Sequence, residues 1–259
     1  MIESEFVNTK IDGNVLIVEI NRPEKMNALH PPANRDLGEV FDAFAADKDL
    51  WVAVITGAGD RAFSAGNDLR YQAEGGEMFP VPSGFGGLTN RYDLFKPVIA
   101  AVNGVAMGGG FEIALACDII IASDNARFAL PEPKVGLAAL AGGLHRLPRQ
   151  IGLKRAMGMM LTGRHVMADE GKELGFVNEV VPQADLMDEV MKWANMITEC
   201  SPSSVRTTKE VAMKGLDTAN FQEAFSMKYD AIGRMLKGPD VIEGPLAFSQ
   251  KRKPNWSGE

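Results

Sequence analysis

Two patterns of apolar positions alternate over the first two thirds of the chain. Short, nearly unbroken apolar or β-branched runs at Asn14–Ile20 (NVLIVEI), Trp51–Thr56 (WVAVIT), residues 97–103, Asp118–Ser123 (DIIIAS) and Phe176–Val181 predict buried strands. Between them the apolar residues recur at helical spacing. Leu37, Val40, Phe41 and Phe44 predict a helix over 34–46, a short helix is expected over 111–117, and two more fall between 142 and 162. Residues 71–90 are rich in Gly and Pro and carry no period, which predicts a long loop of the kind that serves as a lid or binding segment. From about residue 183 the pattern is helical nearly to the end, with Pro202 opening one segment and Pro245 another. Strands that alternate with helices, followed by a helical tail, describe an α/β body with an α-helical appendage. No repeat, low-complexity tract or charge block is evident.

Length agrees with that plan. A chain of 259 residues is one large domain or a domain with an appendage, and it has ample material for a core. Residues 97–122 are apolar and long enough to mimic a membrane span. However, they contain Asn103, Glu112, Asp118 and three consecutive glycines, which lipid would accept only at high cost. They read better as strand, glycine turn and helix. With 27 Lys and Arg against 34 Asp and Glu, the net charge is −7. That argues against a general nucleic-acid binder or a protein held on anionic lipid. Cys117 and Cys200 are too few for a disulfide scaffold or a four-cysteine zinc site and fit a reducing, cytoplasmic setting. Met1-Ile2-Glu3-Ser4-Glu5 has no basic flank followed by an apolar run, so no signal peptide is expected.

Candidate chemistry is concentrated at three places. Gly57-Ala58-Gly59-Asp60-Arg61-Ala62 matches the spacing of a dinucleotide-binding turn, but no helix and acid-ended second strand follow, so it reads as a glycine-rich turn. Gly108-Gly109-Gly110, at a strand-to-helix junction, serves either tight packing or close approach of backbone N–H groups to a ligand, beside the positive end of a helix. Glu112 stands in the first turn of an apolar helix and Glu132 is flanked by Pro131 and Pro133. Singly, they are a dipole-compensating helix acid and a loop acid; together, they resemble a pair set up for proton transfer. His30, His145 and His165 have no metal-ligand spacing, and the 14 methionines read as core filling.

These pieces occur in the order found in the crotonase superfamily of enoyl-CoA hydratases and isomerases, which the chain resembles over nearly its whole length. The matching segments are Asn21-Arg22-Pro23 with Asn27-Ala28-Leu29, residues 62–69 (AFSAGNDL), residues 96–104 (KPVIAAVNG) and Gly108-Gly109-Gly110-Phe111-Glu112. Further on come residues 116–119 (ACDI), Phe128 with Pro131-Glu132, Gly136, Gly142-Gly143, residues 175–182 (GFVNEVVP), and Phe248 with Lys251-Arg252. Within the superfamily, residues 86–89 (GGLT) and 243–248 (EGPLAF) are most similar to carnitinyl-CoA dehydratases.

The resemblance implies a spiral of ββα units over residues 1–195 and a C-terminal helical region, 196–259, that forms trimers or dimers of trimers. It implies an acyl-CoA substrate with no cofactor beyond the CoA moiety and no metal. The backbone N–H groups of Asn67 and Gly109 would form an oxyanion hole for the thioester carbonyl. Glu132 would exchange the proton at the α-carbon, and Glu112 would hold and deprotonate the water that adds at the β-carbon. Lys25, Met26 and Ala28, with Ala65, Asp68 and Leu69, would meet CoA, and Phe248 and Lys251 would reach it from a neighbouring subunit. With a Glu at both acid positions, hydration or dehydration is favoured over an enoyl-CoA isomerase. A third reading, a catalytically weak RNA-binding or scaffold protein on this fold, sits poorly with the net charge. One departure stands out: residues 138–141 are Ala-Ala-Leu-Ala, where the family commonly has Pro followed by Gly or Asp. Leu140 cannot act as an acid, so a more apolar acyl pocket is expected there.

Overall fold

The computed structural model describes residues 4–258. A hairpin, β1 (Val7–Asp12) and β2 (Val15–Ile20), leads into α1 (Pro31–Ala46). Next come β3 (Val52–Gly57), β4 (Ala62–Ser64) and α2 (Leu69–Ala73), then β5 (Val98–Val102), β6 (Val105–Met107) and α3 (Gly109–Ala116). The third round is β7 (Ile119–Ser123), β8 (Arg127–Ala129), α4 (Gly143–Ile151) and α5 (Leu153–Thr162). The body closes with β9 (Val166–Met167), α6 (Ala168–Leu174) and β10 (Glu179–Val181). Helices α7 (Leu186–Thr198), α8 (Pro202–Leu216), α9 (Phe221–Ser226), α10 (Asp230–Lys237) and α11 (Asp240–Ser249) form the tail.

The strands form two sheets among the described residues. One runs β1-β2-β3-β5-β7-β10, antiparallel only in the β1–β2 hairpin; the other runs β4-β6-β8-β9. Thus β3, β5 and β7 each enter the larger sheet, and the strands that follow them, β4, β6 and β8, each enter the smaller one. A helix closes each turn. The chain therefore winds as a spiral of ββα units.

Strand burial explains the unbroken apolar runs. Alternate residues of β3 and β5 pack on opposite faces of the larger sheet. Ala53, Ile55, Val98 and Ala100 join the main core with Leu37, Phe41 and Phe44 of α1. Val52, Val54, Ile99 and Ala101 face Leu186, Val190 and Ala194 of α7. An aromatic trio, Phe111, Phe128 and Phe176, with ring centroids 5.0–5.2 Å apart, locks the start of α3 to β8 and to the segment after α6. Truncating a buried ring of this kind to Ala typically costs about 3–5 kcal/mol.

Several boundaries differ from the sequence expectations. The last strand is confined to Glu179–Val181, because Phe176 and Val177 follow the left-handed C-cap Gly175 and pack inward. Pro202 does open α8, but Pro245 lies inside α11, which starts at Asp240. One N–H is missing there from a largely exposed helix, where water can serve the freed carbonyl. α7 runs through residue 195, where the spiral and the tail were expected to divide. Among the described residues, no helix is long and apolar enough to cross a membrane.

Candidate active site

The site is built where the two sheets and α3 converge. Gly66 adopts φ +88°, and a Cβ there would lie 2.6 Å from the Met107 carbonyl oxygen and 3.0 Å from the Gly109 nitrogen. A Cβ on Gly110 would collide with the Ser64 carbonyl. Only glycine allows this approach, and it sets Asn67 beside the start of α3. Among the described residues, neither amide nitrogen has an acceptor. The bridge between Leu29 and Asn67 uses the amides of Leu29 and Asp68, not that of Asn67. Gly109 is in the first turn of α3, where amides lack an intrahelical acceptor. The two amides expected to form an oxyanion hole are thus brought together, at the positive end of a helix. The Asn67 side chain is turned elsewhere, donating to Gln72 Oε1 at 3.1 Å.

Glu112 lies one turn into α3, 3% exposed. Its Oε1 accepts the Gly143 amide at 2.8 Å, at the N-terminus of α4. Glu132 begins a short 3-10 turn just beyond β8. A Cβ on Gly108 would sit 3.1 Å from Glu132 Oε1, so this carboxyl stands against the glycine turn from which α3 starts. Its Oε2 is buried without a hydrogen-bond partner. The turn is fastened from outside by Lys134, whose Nζ donates to the Gly163 carbonyl at 2.7 Å, at the end of α5.

Burial pushes both carboxyls above their ordinary range. For Glu112, burial raises the pKa, the Gly143 amide opposes it, and the Glu132 charge adds to it, leaving a value of about 7. For Glu132, burial again raises it. The Glu132 charge adds to the pressure on Glu112, so ionising both carboxyls together is disfavoured. The Glu112 carboxylate has an amide donor, whereas Glu132 Oε2 has none.

The residues expected along CoA fall into two groups. Residues 25–29 and 65–69 run side by side, joined by Ala65 N to Met26 O at 2.9 Å, Leu29 N to Gly66 O at 2.8 Å and Asp68 N to Leu29 O at 2.9 Å. Lys25 and Leu69 are exposed on this ridge, and Met26 and Ala65 are half-buried. The Ala28 and Asp68 side chains are buried. Asp68 pairs with Arg22 at 3.0 Å and caps α2 through the Tyr71 amide at 3.0 Å. Burial works against its charge, but these partners hold its carboxyl below the usual range. Its side chain therefore braces the ridge. Phe248, 87% exposed, and Lys251 lie instead on and just after α11 in the helical tail.

Other parts of the site were not evident from residue type. The Gly143 amide that holds Glu112 is backbone; its only signal was the Gly142-Gly143 pair. Phe85 sits against Gly109, where a Cβ would strike its ring. Asn27 is fully buried and ties the ridge to the β3–β4 turn, donating to Ala58 O at 3.0 Å and Ala62 O at 2.7 Å and accepting from Arg22 N at 3.0 Å. Leu140 is 81% exposed, and the residue of its run that packs beside Gly143 is Ala139. The expected apolar wall at Leu140 is thus absent from this chain's interior, because Gly136, Leu137, Ala138 and Leu140 are exposed before α4 begins and Ala139 alone of this run turns inward. His145 is exposed. Among the described residues, no group of three or more His, Cys, Asp or Glu side chains is placed to hold a metal ion.

Comparison with known proteins follows the same lines. The family model for Enoyl-CoA hydratase/isomerase matches residues 10–259. A protein named carnitinyl-CoA dehydratase from Proteus mirabilis (strain HI4320) is 41% identical over 98% of this chain and 99% of its own length. One of the same name from Escherichia coli (strain K12) is 42% identical over the same shares. Among solved structures, an enoyl-CoA hydratase from Mycobacterium tuberculosis H37Rv superimposes with a TM-score of 0.93 at 36% identity, covering 99% of this chain and 100% of that one. One from Bacillus anthracis gives 0.91 at 33% identity, covering 98% and 100%. The chain belongs to the enoyl-CoA hydratase/isomerase family, and its α/β fold is the one the sequence resemblance implied.

Proposed function

We propose that Glu112 and Glu132, with the amides of Asn67 and Gly109, carry out the reaction of this acyl-CoA hydratase/dehydratase. The observation behind this reading is the buried Glu112 and half-buried Glu132 carboxyls beside two backbone amides that have no acceptor among the described residues. In hydration, the thioester carbonyl of a 2-enoyl-CoA accepts both amides. Glu112 takes a proton from a water as its oxygen bonds the β-carbon. The double-bond electrons move onto the carbonyl oxygen, where the amides stabilise the enolate; one such donor is worth on the order of 10²–10³ in rate. Glu132 then delivers its proton to the α-carbon. Dehydration runs the same steps backwards and makes the enzyme a carbon–oxygen lyase.

The substrate assigned here is crotonobetainyl-CoA or carnitinyl-CoA, on the strength of whole-length identity to proteins that bear the second name. CoA lies along the ridge of residues 25–29 and 65–69, with Lys25 near its phosphates and no cofactor beyond CoA itself. The body is the spiral expected over 1–195, and 196–259 assembles the protein as a trimer or a dimer of trimers in the cytoplasm. Exposed Leu216, Phe221, Phe225 and Phe248 on the tail support that assembly. The test compares kcat/KM for crotonobetainyl-CoA and crotonyl-CoA in the wild type and in Glu132→Gln. Preference for the first substrate, lost in the variant, is expected; preference for crotonyl-CoA would remove the substrate assignment, and an active variant would remove Glu132.

A further inference from the structure

Arg146, in the first turn of α4, occupies a place that its exposed neighbours His145 and Arg149 do not. Its Nη2 donates to the Thr89 carbonyl at 2.9 Å. Its Nη1 lies so near Gly142 that a Cβ there would collide with it. The next residue, Gly143, supplies the amide that holds Glu112. The Thr89 end of the contact is equally close to the site. Thr89 Oγ1 accepts the Phe85 amide at 2.8 Å, and the Phe85 ring is the one packed on Gly109. The same loop is tied to α1 by the Gly86 amide, which donates to Asn34 Oδ1 at 2.7 Å. One guanidinium therefore joins the segment behind Gly109 to the segment behind Glu112.

Among the described residues, Arg146 forms no ion pair, whereas Arg91 and Lys209, on the same cavity, are paired with Asp42 and Asp118. The groups that face Glu112 can be named for each packed element. Glu132 comes from the 3-10 turn after β8, and Arg146 from α4. β4, β6 and residues 84–90 contribute no charged side chain. The amides of Ala141 and Gly143 complete the set.

Resting on the assignment of Glu112 as the base for water, we propose that Arg146 is a positioning residue. It fixes the 84–90 loop to the start of α4 and places a fixed positive charge behind the Glu112 carboxyl. That charge favours the ionised Glu112 that hydration needs, against burial and against Glu132.

A cavity of about 510 Å³ that Arg146 lines together with Leu88, Leu115, Cys117 and His145 is large enough to admit a small cation. This makes the charge testable separately from the packing. In hydration assays of the full-length enzyme, Arg146→Gln should move the acid limb of kcat/KM upward by about half a pH unit or more, and Arg146→Lys should leave it in place. Arg146→Ala should regain rate and the wild-type limb with guanidinium at a non-denaturing concentration, but not with urea, which has the same shape and no charge. Equal loss at every pH in Arg146→Gln, with no difference between guanidinium and urea for Arg146→Ala, would overturn the proposal. Glu112→Gln separates the two claims. If it stays active, the base assignment falls; if it is inactive while Arg146→Gln keeps the wild-type limb, only the role of Arg146 falls.

Discussion

Glu112 is 3% exposed and has one strong partner, the Gly143 amide, so it carries a charge that the fold does not favour. Its pKa, raised from 4.5 to about 7, means that the folded state binds this proton more tightly than the unfolded chain does. Stability from this group is present below pH 4.5 and is lost as pH rises towards 7. Glu112→Gln removes the loss, because an amide can still accept from Gly143. It should gain on the order of 1–3 kcal/mol at pH 8 and close to nothing below about pH 4.5, while abolishing turnover. Chemical denaturation at the two pH values checks this; equal stability of the two proteins at pH 8 would contradict it. The same ionisation gives hydration an acid limb near pH 7, seen as falling kcat/KM below it. Asn67 presents the opposite case, since the group proposed for catalysis is its backbone amide. Asn67→Ala should lose less than about tenfold in kcat, well short of the 10²–10³ expected for loss of an oxyanion donor.

Among the elements, α3 carries the largest share of the site, and its glycines set the geometry. Gly110→Ala places a methyl group against the Ser64 carbonyl, a backbone atom that cannot rotate away. It should cost about 2–4 kcal/mol, read in a urea titration, and separate Asn67 from Gly109. The long elements were legible in the sequence for a physical reason: β3 and β5 are buried on both faces and read as continuous apolar runs. By contrast, β4, β6 and β8 are three residues each, too short for any period, and escaped notice. β1 carries a mixed run, Val-Asn-Thr-Lys-Ile-Asp, that pairs with β2 from the sheet edge. Glu112 and Glu132 were legible because acids in apolar surroundings are rare. The Gly143 amide, the Phe85 ring on Gly109 and the Arg146 contact were not. They depend on which loops the spiral brings together, and a residue's type does not report that.

For the whole molecule, the ridge at Lys25 and the exposed Phe248 lie on different parts of one chain. The proposed assembly, in which a neighbour's α11 reaches the ridge, would account for both. Phe248→Ala should then raise KM for the acyl-CoA substrate while leaving kcat nearly unchanged; sedimentation would register a trimer or hexamer for the wild type. A monomeric wild type with unaltered KM in the variant would dismiss this arrangement. Within each protomer, the two carboxyls are proposed to share the chemistry of one water. The most direct test follows the absorbance of the conjugated thioester of crotonobetainyl-CoA in the wild type and in Glu132→Gln. Rapid loss of the band is expected in the wild type and none in the variant. Loss at comparable rates in both would contradict the proposal.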